Sequence, residues 1–270
     1  MGHIKLKPTT EIKINFHPSE IKDEIIPEES KKIAQEYLSS DKTSDDNEHD
    51  LIIMLEDKII YGYDYINNKE KFILPEINPV TIFYSNAVMS NGLIKHYKDE
   101  LFKASTRINK TGKIHSRTVS PNHSGVFFQL AVNCIINLQS TLECFANMII
   151  PSNYPFVNKQ GNEITATVGY KLFNVLPKIK GIDFKNQGRK VKKYNLSIDT
   201  LIKLRNDIVH LKPIQETNTG YKKYYRELLD FDFEKAIYSV KLFINFYEPN
   251  LLEECPCGIN FVYDTLKKSP

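Results

Sequence analysis

Leu204-Arg205-Asn206-Asp207-Ile208-Val209-His210 is the stretch on which the reading of this chain turns. Ile198, Leu201, Ile202, Ile208 and Val209 recur at three- and four-residue intervals, the mark of one buried helical stripe. Ser197 or Asp199 can cap the start of that helix. Pro213 ends it, because it biases Lys212 away from helical geometry. The polar residues in the stretch carry chemistry. Imidazole moves a proton near neutral pH, guanidinium holds a phosphate, and an amide orients it. Together they suit a phosphodiester.

At about 100° per residue, Arg205 falls in the middle of the stripe, with Leu201 and Ile208 on either side. A charge there loses hydration unless an anion receives it. Asn206 and His210 share a flank one turn apart. Arg205 and His210 are about 140° apart on an ideal helix. Their convergence on one ligand therefore requires a loosened last turn or a second chain that completes the site. The structural alternative is a salt-bridged Arg and a surface His.

Some sixty residues upstream, Ser124 to Ile150 carries a long apolar stripe: Phe127, Ala131, Cys134, Ile135, Leu138, Leu142, Phe145 and Ile149. The opposite side holds Val132, Ile136 and Ile150 with two polar residues, Glu143 and Asn147, one turn apart. A helix apolar on two sides is buried on two sides, by its own bundle and by a further surface such as another subunit. Glu143 in that setting needs a cation and Arg205 needs an anion. Pairing them is the economical solution, although a lysine at the bundle rim would serve Glu143 as well.

These residues resemble the HEPN domains, α-helical bundles found in prokaryotic toxins and defence proteins. The family signature of Arg, usually Asn, a few variable residues and His stands here as Arg205-Asn206-Asp207-Ile208-Val209-His210. The Glu and Asn of an earlier family helix resemble Glu143 and Asn147, and Tyr170 to Ile179 resembles the family's short Lys-bearing helix. The resemblance covers Pro79 to Asn250. It implies a mostly α fold, a HEPN-like antiparallel helical bundle over residues 79–250, preceded by a small α/β or β-rich appendage over residues 1–78 and followed by a tail over 251–270. It further implies RNA cleavage in a homodimer without a cofactor or metal. The ribose 2′-hydroxyl attacks the adjacent phosphate and leaves a 2′,3′-cyclic phosphate. His210 is then the general acid or base, Arg205 stabilises the phosphorane, Asn206 orients the phosphate, and Glu143 holds Arg205. The expected setting is a toxin or antiviral effector, with an antitoxin or regulatory protein as a further partner. The alternative is a HEPN-like module without catalysis that binds RNA, a nucleotide or a protein.

The net charge of +3 conceals an asymmetry. Glu20 to Asp50 has eleven acidic residues against four lysines, and Lys171 to Lys193 has eight basic residues against Asp183 alone. The densest basic run includes Lys185, Arg189, Lys190, Lys192 and Lys193 beside Tyr194, just ahead of the motif helix, and a second lies from Lys110 to Arg117. Read as loops, these runs gather a polyanion, and Tyr194 can stack on a base. With Asn147, they are the expected substrate-binding residues. Solvated loops would have the same composition.

Hydrophobic residues make up 41% of the chain without a long uninterrupted apolar run, which argues against a membrane span. The start, Met1 to Thr10, lacks an apolar core of signal-peptide length. Four cysteines do not make a disulfide scaffold, so the expected address is the cytoplasm. Ahead of the bundle, Glu11–Phe16, Leu51–Leu55, Ile59–Tyr65 and Lys71–Leu74 read as strands, with a turn at Asn67-Asn68. Glu28–Ser39 reads as a helix and residues 39–50 as an acidic linker. Asn78-Pro79 starts a helix, Thr106–Ile108 and Lys113–Thr118 read as a hairpin, and Phe233–Tyr247 is a further helix.

Two other chemistries have partial support. Asp50, Glu56 and Lys58 flank an apolar run as in metal-dependent nucleases, but Asp50 sits too close. Cys255 and Cys257 could supply two metal ligands; structural zinc wants four, and no other Cys or His lies near them in sequence, so a second subunit would have to complete the set.

Overall fold

A computed structural model describes residues 3–16, 20, 27–40, 51–55, 57–103, 105–111, 114–158, 160–212 and 219–257, with the backbone alone at 106–111, 114–116 and 190. The chain divides into two compact units, Leu6–Asn78 and a larger one from Pro79 onward that also takes in the chain's first residues. The protein is mostly α-helical with a small antiparallel sheet.

In the smaller unit, strand β3 (Lys58–Asn67) is central. It pairs antiparallel with β1 (Glu11–Lys13), β2 (Leu51–Leu55) and β4 (Glu70–Pro75). The β3–β4 turn falls on Asn68 and Lys69, which take φ of 52° and 70°, one residue later than the sequence places it. Helix α1 (Glu28–Ser39) is tied to the sheet through Tyr37, whose hydroxyl donates to Asp64 and whose carbonyl accepts from Lys71 Nζ at 2.7 Å. The acidic segment 41–50 lies outside the described residues, as does Glu56, so the Asp50–Glu56–Lys58 arrangement falls there too. Lys58 pairs with Glu11 at 2.9 Å.

The larger unit is a helical bundle centred on α3 (Pro121–Ile149). Ser120 caps α3 by accepting from the His123 N–H, and Pro121 occupies the first turn, where its missing donor costs nothing. Phe127, Ala131, Cys134, Ile135, Leu138, Leu142 and Phe145 are fully buried, as the stripe predicts. By length and composition α3 could cross a membrane, which the run-length criterion applied to the sequence does not reveal. Its apolar stripe is spent on the bundle core instead.

Helix α2 (Pro79–Lys103) starts at the expected Asn78-Pro79 and makes the largest helix–helix contact, against α3. The hairpin β5 (Thr106–Thr111) and β6 (Ile114–Thr118) joins the two. Next comes a helix of three parts, α4 (Val168–Tyr170), a π-helical segment (Lys171–Val175) and α5 (Leu176–Lys180). Pro177 explains the widened middle: it lacks the N–H that would bond to Phe173, and its ring would strike that carbonyl. A local π turn relieves the clash, with the Leu176 N–H reaching back to the Lys171 carbonyl.

Helices α6 (Arg189–Val209), α7 (Lys222–Asp230) and α8 (Phe233–Tyr247) complete the bundle. Tyr84 on α2 donates to the Ile237 carbonyl at 3.1 Å, and Phe243 stacks edge-to-face on Phe145, Phe173 and Phe184. Residues 251–257 are not a detached tail. Leu252 is fully buried and exchanges hydrogen bonds with Asn245, and Glu254 pairs with Ile4 in an antiparallel bridge.

Candidate functional site

Helix α6 begins eight or ten residues before the cap expected at Ser197 or Asp199. The basic run from Arg189 to Tyr194 is therefore its first turns rather than a loop. Gly188, at φ 97°, supplies the sharp entry, and the helix ends at Val209 with His210 as its C-cap. Pro213 lies outside the described residues.

The buried line of α6 runs Ile198, Leu201, Leu204 and Ile208, not through Arg205. Leu204 fills the place assigned to Arg205 because a leucine gains from burial what an unpaired guanidinium would lose. Arg205 is half-buried at the edge of that line, Ile202 is half-buried, and Val209 is 47% exposed. Asn206 and His210 are exposed on one flank, and the His210 N–H donates to the Asn206 carbonyl at 3.0 Å. Arg205 Nη1 donates to Asn206 Oδ1 at 3.3 Å. Arg205 and Asn206 thus touch through their side chains, and His210 follows one turn on from Asn206 at the end of α6.

The second face of α3 follows the pattern except at Ile150. Val132, Ile136 and Glu143 are half-buried and Asn147 is exposed, while Ile150 belongs to the core. Among the described residues no ion pair joins Glu143 to Arg205, whose hydrogen bond goes to its neighbour Asn206. The half-exposure of both groups explains it: neither loses enough hydration to require the other. Asn147 instead accepts from Lys171 Nζ at 2.8 Å, which joins the α3 polar line to the π-helical turn.

Between α3, the end of α6 and α7 runs an open groove of about 1170 Å³, lined by Phe128, Val132, Ile136, Val209, Leu211 and Tyr225 among others. His210 stands between two of its lining residues. Glu143 lies about 10 Å further along α3 on the line of Ile136, seven residues on. The groove is apolar for an exposed feature, and Tyr225 packs against Phe128 with ring centroids 4.5 Å apart.

The expected substrate-binding residues gather elsewhere. Arg189, Lys192 and Lys193 are exposed on the first turns of α6, and Lys185 lies just before them. The side chain of Lys190 is outside the described residues. Twenty-one residues separate Arg189 from His210, which is about 30 Å along a helix. The cationic end and the Arg205–His210 segment are therefore opposite ends of one helix. Cations at a helix N-terminus oppose the macrodipole, so this end gains when a polyanion arrives. Tyr194 packs edge-on against Tyr238 at 5.5 Å and carries Lys193 Nζ 4.8 Å over its ring, so it is part of the bundle surface and not a free stacking platform. Lys185 Nζ sits 4.0 Å over Phe173. Sequence reasoning also missed a second groove of about 630 Å³ on the other side of α7, where Lys203, Lys222 and Arg226 meet Asp207 and Glu227. Its mixed charges come from α6 and α7, whose meeting only the fold reveals.

No family model, curated protein or solved structure matches the chain.

Proposed function

We propose that the bundle is a HEPN-like endoribonuclease, acting as a cytoplasmic homodimer in a toxin or antiviral role. The observation that carries the reading is the end of α6, where Arg205, Asn206 and His210 stand in sequence-motif order at the solvent-accessible surface, with Arg205 donating to the Asn206 side chain. Imidazole, guanidinium and amide are the groups that in-line attack by a 2′-hydroxyl requires. His210 takes the hydroxyl proton or returns one to the departing 5′-oxygen, Arg205 neutralises charge on the phosphorane, and Asn206 orients the phosphate. The products are a 2′,3′-cyclic phosphate and a 5′-hydroxyl.

A two-fold dimer supplies what one chain lacks. The half-covered face of α3 and the exposed Val209, Leu211 and Tyr225 beside it form an apolar seam that a second copy covers isologously. Such an arrangement brings two His210 side chains to one phosphate, one to accept the proton and one to deliver it. The cationic start of α6 collects RNA by long-range attraction. The exposed apolar side chains of the sheet unit suit an antitoxin or regulatory partner.

The test is incubation of the full chain with total RNA in EDTA, followed by mapping of the ends. Cleavage that persists and leaves cyclic phosphates is the expected result. Cleavage only with a divalent ion overturns the mechanism. If no RNA is cut under any condition, the same residues belong to a binding module without catalysis, a reading favoured by the distance between the cationic end and His210.

A further inference from the structure

The sequence leaves Cys255 and Cys257 two ligands short, and the fold brings a third from the opposite end of the chain. The first residues run antiparallel to residues 253–255. The Lys5 N–H donates to the Glu253 carbonyl at 2.9 Å and the Cys255 N–H donates to the His3 carbonyl at 2.8 Å, bracketing the Ile4–Glu254 bridge. This register sets His3 directly opposite Cys255, and directly opposed residues of an antiparallel pair share a face. Ile4, buried at 2% exposure, anchors the strand in the bundle core, so alternation turns His3 to the other face. The chain then turns at Pro256 and Cys257, and the turn brings the Cys257 thiol back beside His3, with Pro256 holding Cys255 extended. One ligand atom from each of His3, Cys255 and Cys257 lies within 4.8 Å of the others, and Cys257 Sγ is 3.6 Å from His3 Nδ1.

We propose that His3, Cys255 and Cys257 bind a zinc ion that clips the two ends of the chain together. The geometry is close to what zinc demands. With Zn–S near 2.3 Å and Zn–N near 2.0–2.1 Å, the edges of a tetrahedral site are about 3.5–3.8 Å, so closing the set needs side-chain movements of only about 1 Å. Two thiolates and a neutral imidazole balance the charge of the cation. A soft, sulfur-rich set favours zinc over magnesium or calcium. The site is half-buried at His3 and Cys255 and open at Cys257, which leaves the fourth position to solvent. The other two cysteines are poor candidates for a ligand. Cys134 is sealed in the core, where burial pushes its thiol up to about 12, and Cys144 is raised in the same direction by burial and then by Glu143. The zinc closes a loop of nearly the whole chain and locks the terminal strand pair to α8, where Lys241 holds Glu254 at 3.2 Å.

The test uses the full chain, purified without a polyhistidine tag and under reducing conditions. Native mass spectrometry is expected to give one zinc per chain, and X-ray absorption at the zinc edge to give two sulfur ligands with nitrogen or oxygen. Cobalt substitution is expected to give thiolate charge-transfer bands. Chelation is expected to lower the melting temperature by roughly 5–10 °C, the size of effect a tightly bound ligand gives a chain of this length. Cys257→Ser and His3→Ala should each reduce zinc retention at least tenfold. Full stoichiometry in both variants overturns the proposal. So does an unmodified, fully reduced protein that takes up neither zinc nor cobalt. Should a variant fail to fold, the sulfur count in the unmodified protein still decides the matter.

Discussion

Around α3 the bundle seals Phe127, Leu138, Leu142 and Phe145 completely from solvent, whereas the sheet unit buries Ile60 and Asp64 on β3 and leaves Ile52, Met54, Leu55, Tyr63 and Tyr65 largely exposed. The bundle therefore has the packing needed to hold side chains within a fraction of an ångström of a productive geometry. The sheet unit, at about seventy residues and with so thin a core, has stability to lose and surface to offer. On the proposed function, the first carries the chemistry and the second the recognition. The largest expected effect tests that assignment. His210→Ala should reduce RNA cleavage by roughly 10²–10⁴-fold, the contribution of general acid–base catalysis, with an unchanged melting temperature because His210 is exposed. An exposed substitution on the sheet, such as Tyr65→Ala, should leave cleavage by the purified protein within about twofold. Equal loss from both would dissolve the division of labour.

Stability offers the next contrast. Phe243 lies at 0% exposure amid Phe145, Phe173 and Phe184, so Phe243→Ala should cost about 3–5 kcal/mol in the bundle transition. Ile60→Ala should cost the sheet unit about 2 kcal/mol or less, because its poorly covered surroundings can collapse into the gap. Calorimetry combined with hydrogen exchange resolved along the chain separates the two. A single transition displaced equally by both variants would mean that the units unfold as one.

How much of this was legible in the sequence depends on whether the deciding contact was local. Glu28–Ser39, Leu51–Leu55 and Phe233–Tyr247 emerge with the boundaries that their periodicity predicts, and Pro79 opens α2 where a proline is tolerated. The start of α6 was not legible, because basic residues in a first turn oppose the helix dipole and read as loop. Nor was the exchange of Leu204 for Arg205 in the buried line: the two are adjacent, so a shift of about 100° decides between them. The Arg205–Asn206–His210 grouping survives that shift, while the pairing with Glu143, which depended on deep burial of both partners, does not. His3 was beyond the reach of any local reading, since it meets Cys255 only through tertiary pairing.

Within the sheet unit, Gly62 sits where a side chain has no room. A Cβ at that position would lie 2.5 Å from the Leu74 carbonyl oxygen and 2.9 Å from Ile53 Cδ1. Gly62 is paired to Leu51 on one side and Pro75 on the other, so the backbone cannot yield without breaking a ladder. Gly62→Ala should destabilise the sheet unit by about 1–3 kcal/mol, as overpacking does. Cleavage by the bundle should be unaffected. Protection from exchange along β3 reads the first, and turnover reads the second. Loss of turnover at a temperature where β3 remains protected would contradict the separation.

A small effect on stability is expected at Arg205, and it bears most directly on how the bundle holds its site. If Arg205 were buried against Glu143, Arg205→Ala would strand a carboxylate at a cost of about 3–5 kcal/mol. In the structure both are half-exposed and Arg205 reaches Asn206 instead. The expected loss of stability is therefore below about 1 kcal/mol, that of an exposed charged contact. In a double-mutant cycle with Glu143→Gln, the coupling should stay within about 0.5 kcal/mol. Catalysis should respond differently. Removal of Arg205 takes charge stabilisation from the phosphorane and should lower turnover by about 10²–10³-fold, with Lys restoring only part because it lacks the planar fork. Measured together, chemical denaturation and single-turnover cleavage distinguish the two roles. A large coupling to Glu143 with unchanged turnover would make Arg205 a structural residue of the bundle and leave His210 without its electrostatic partner.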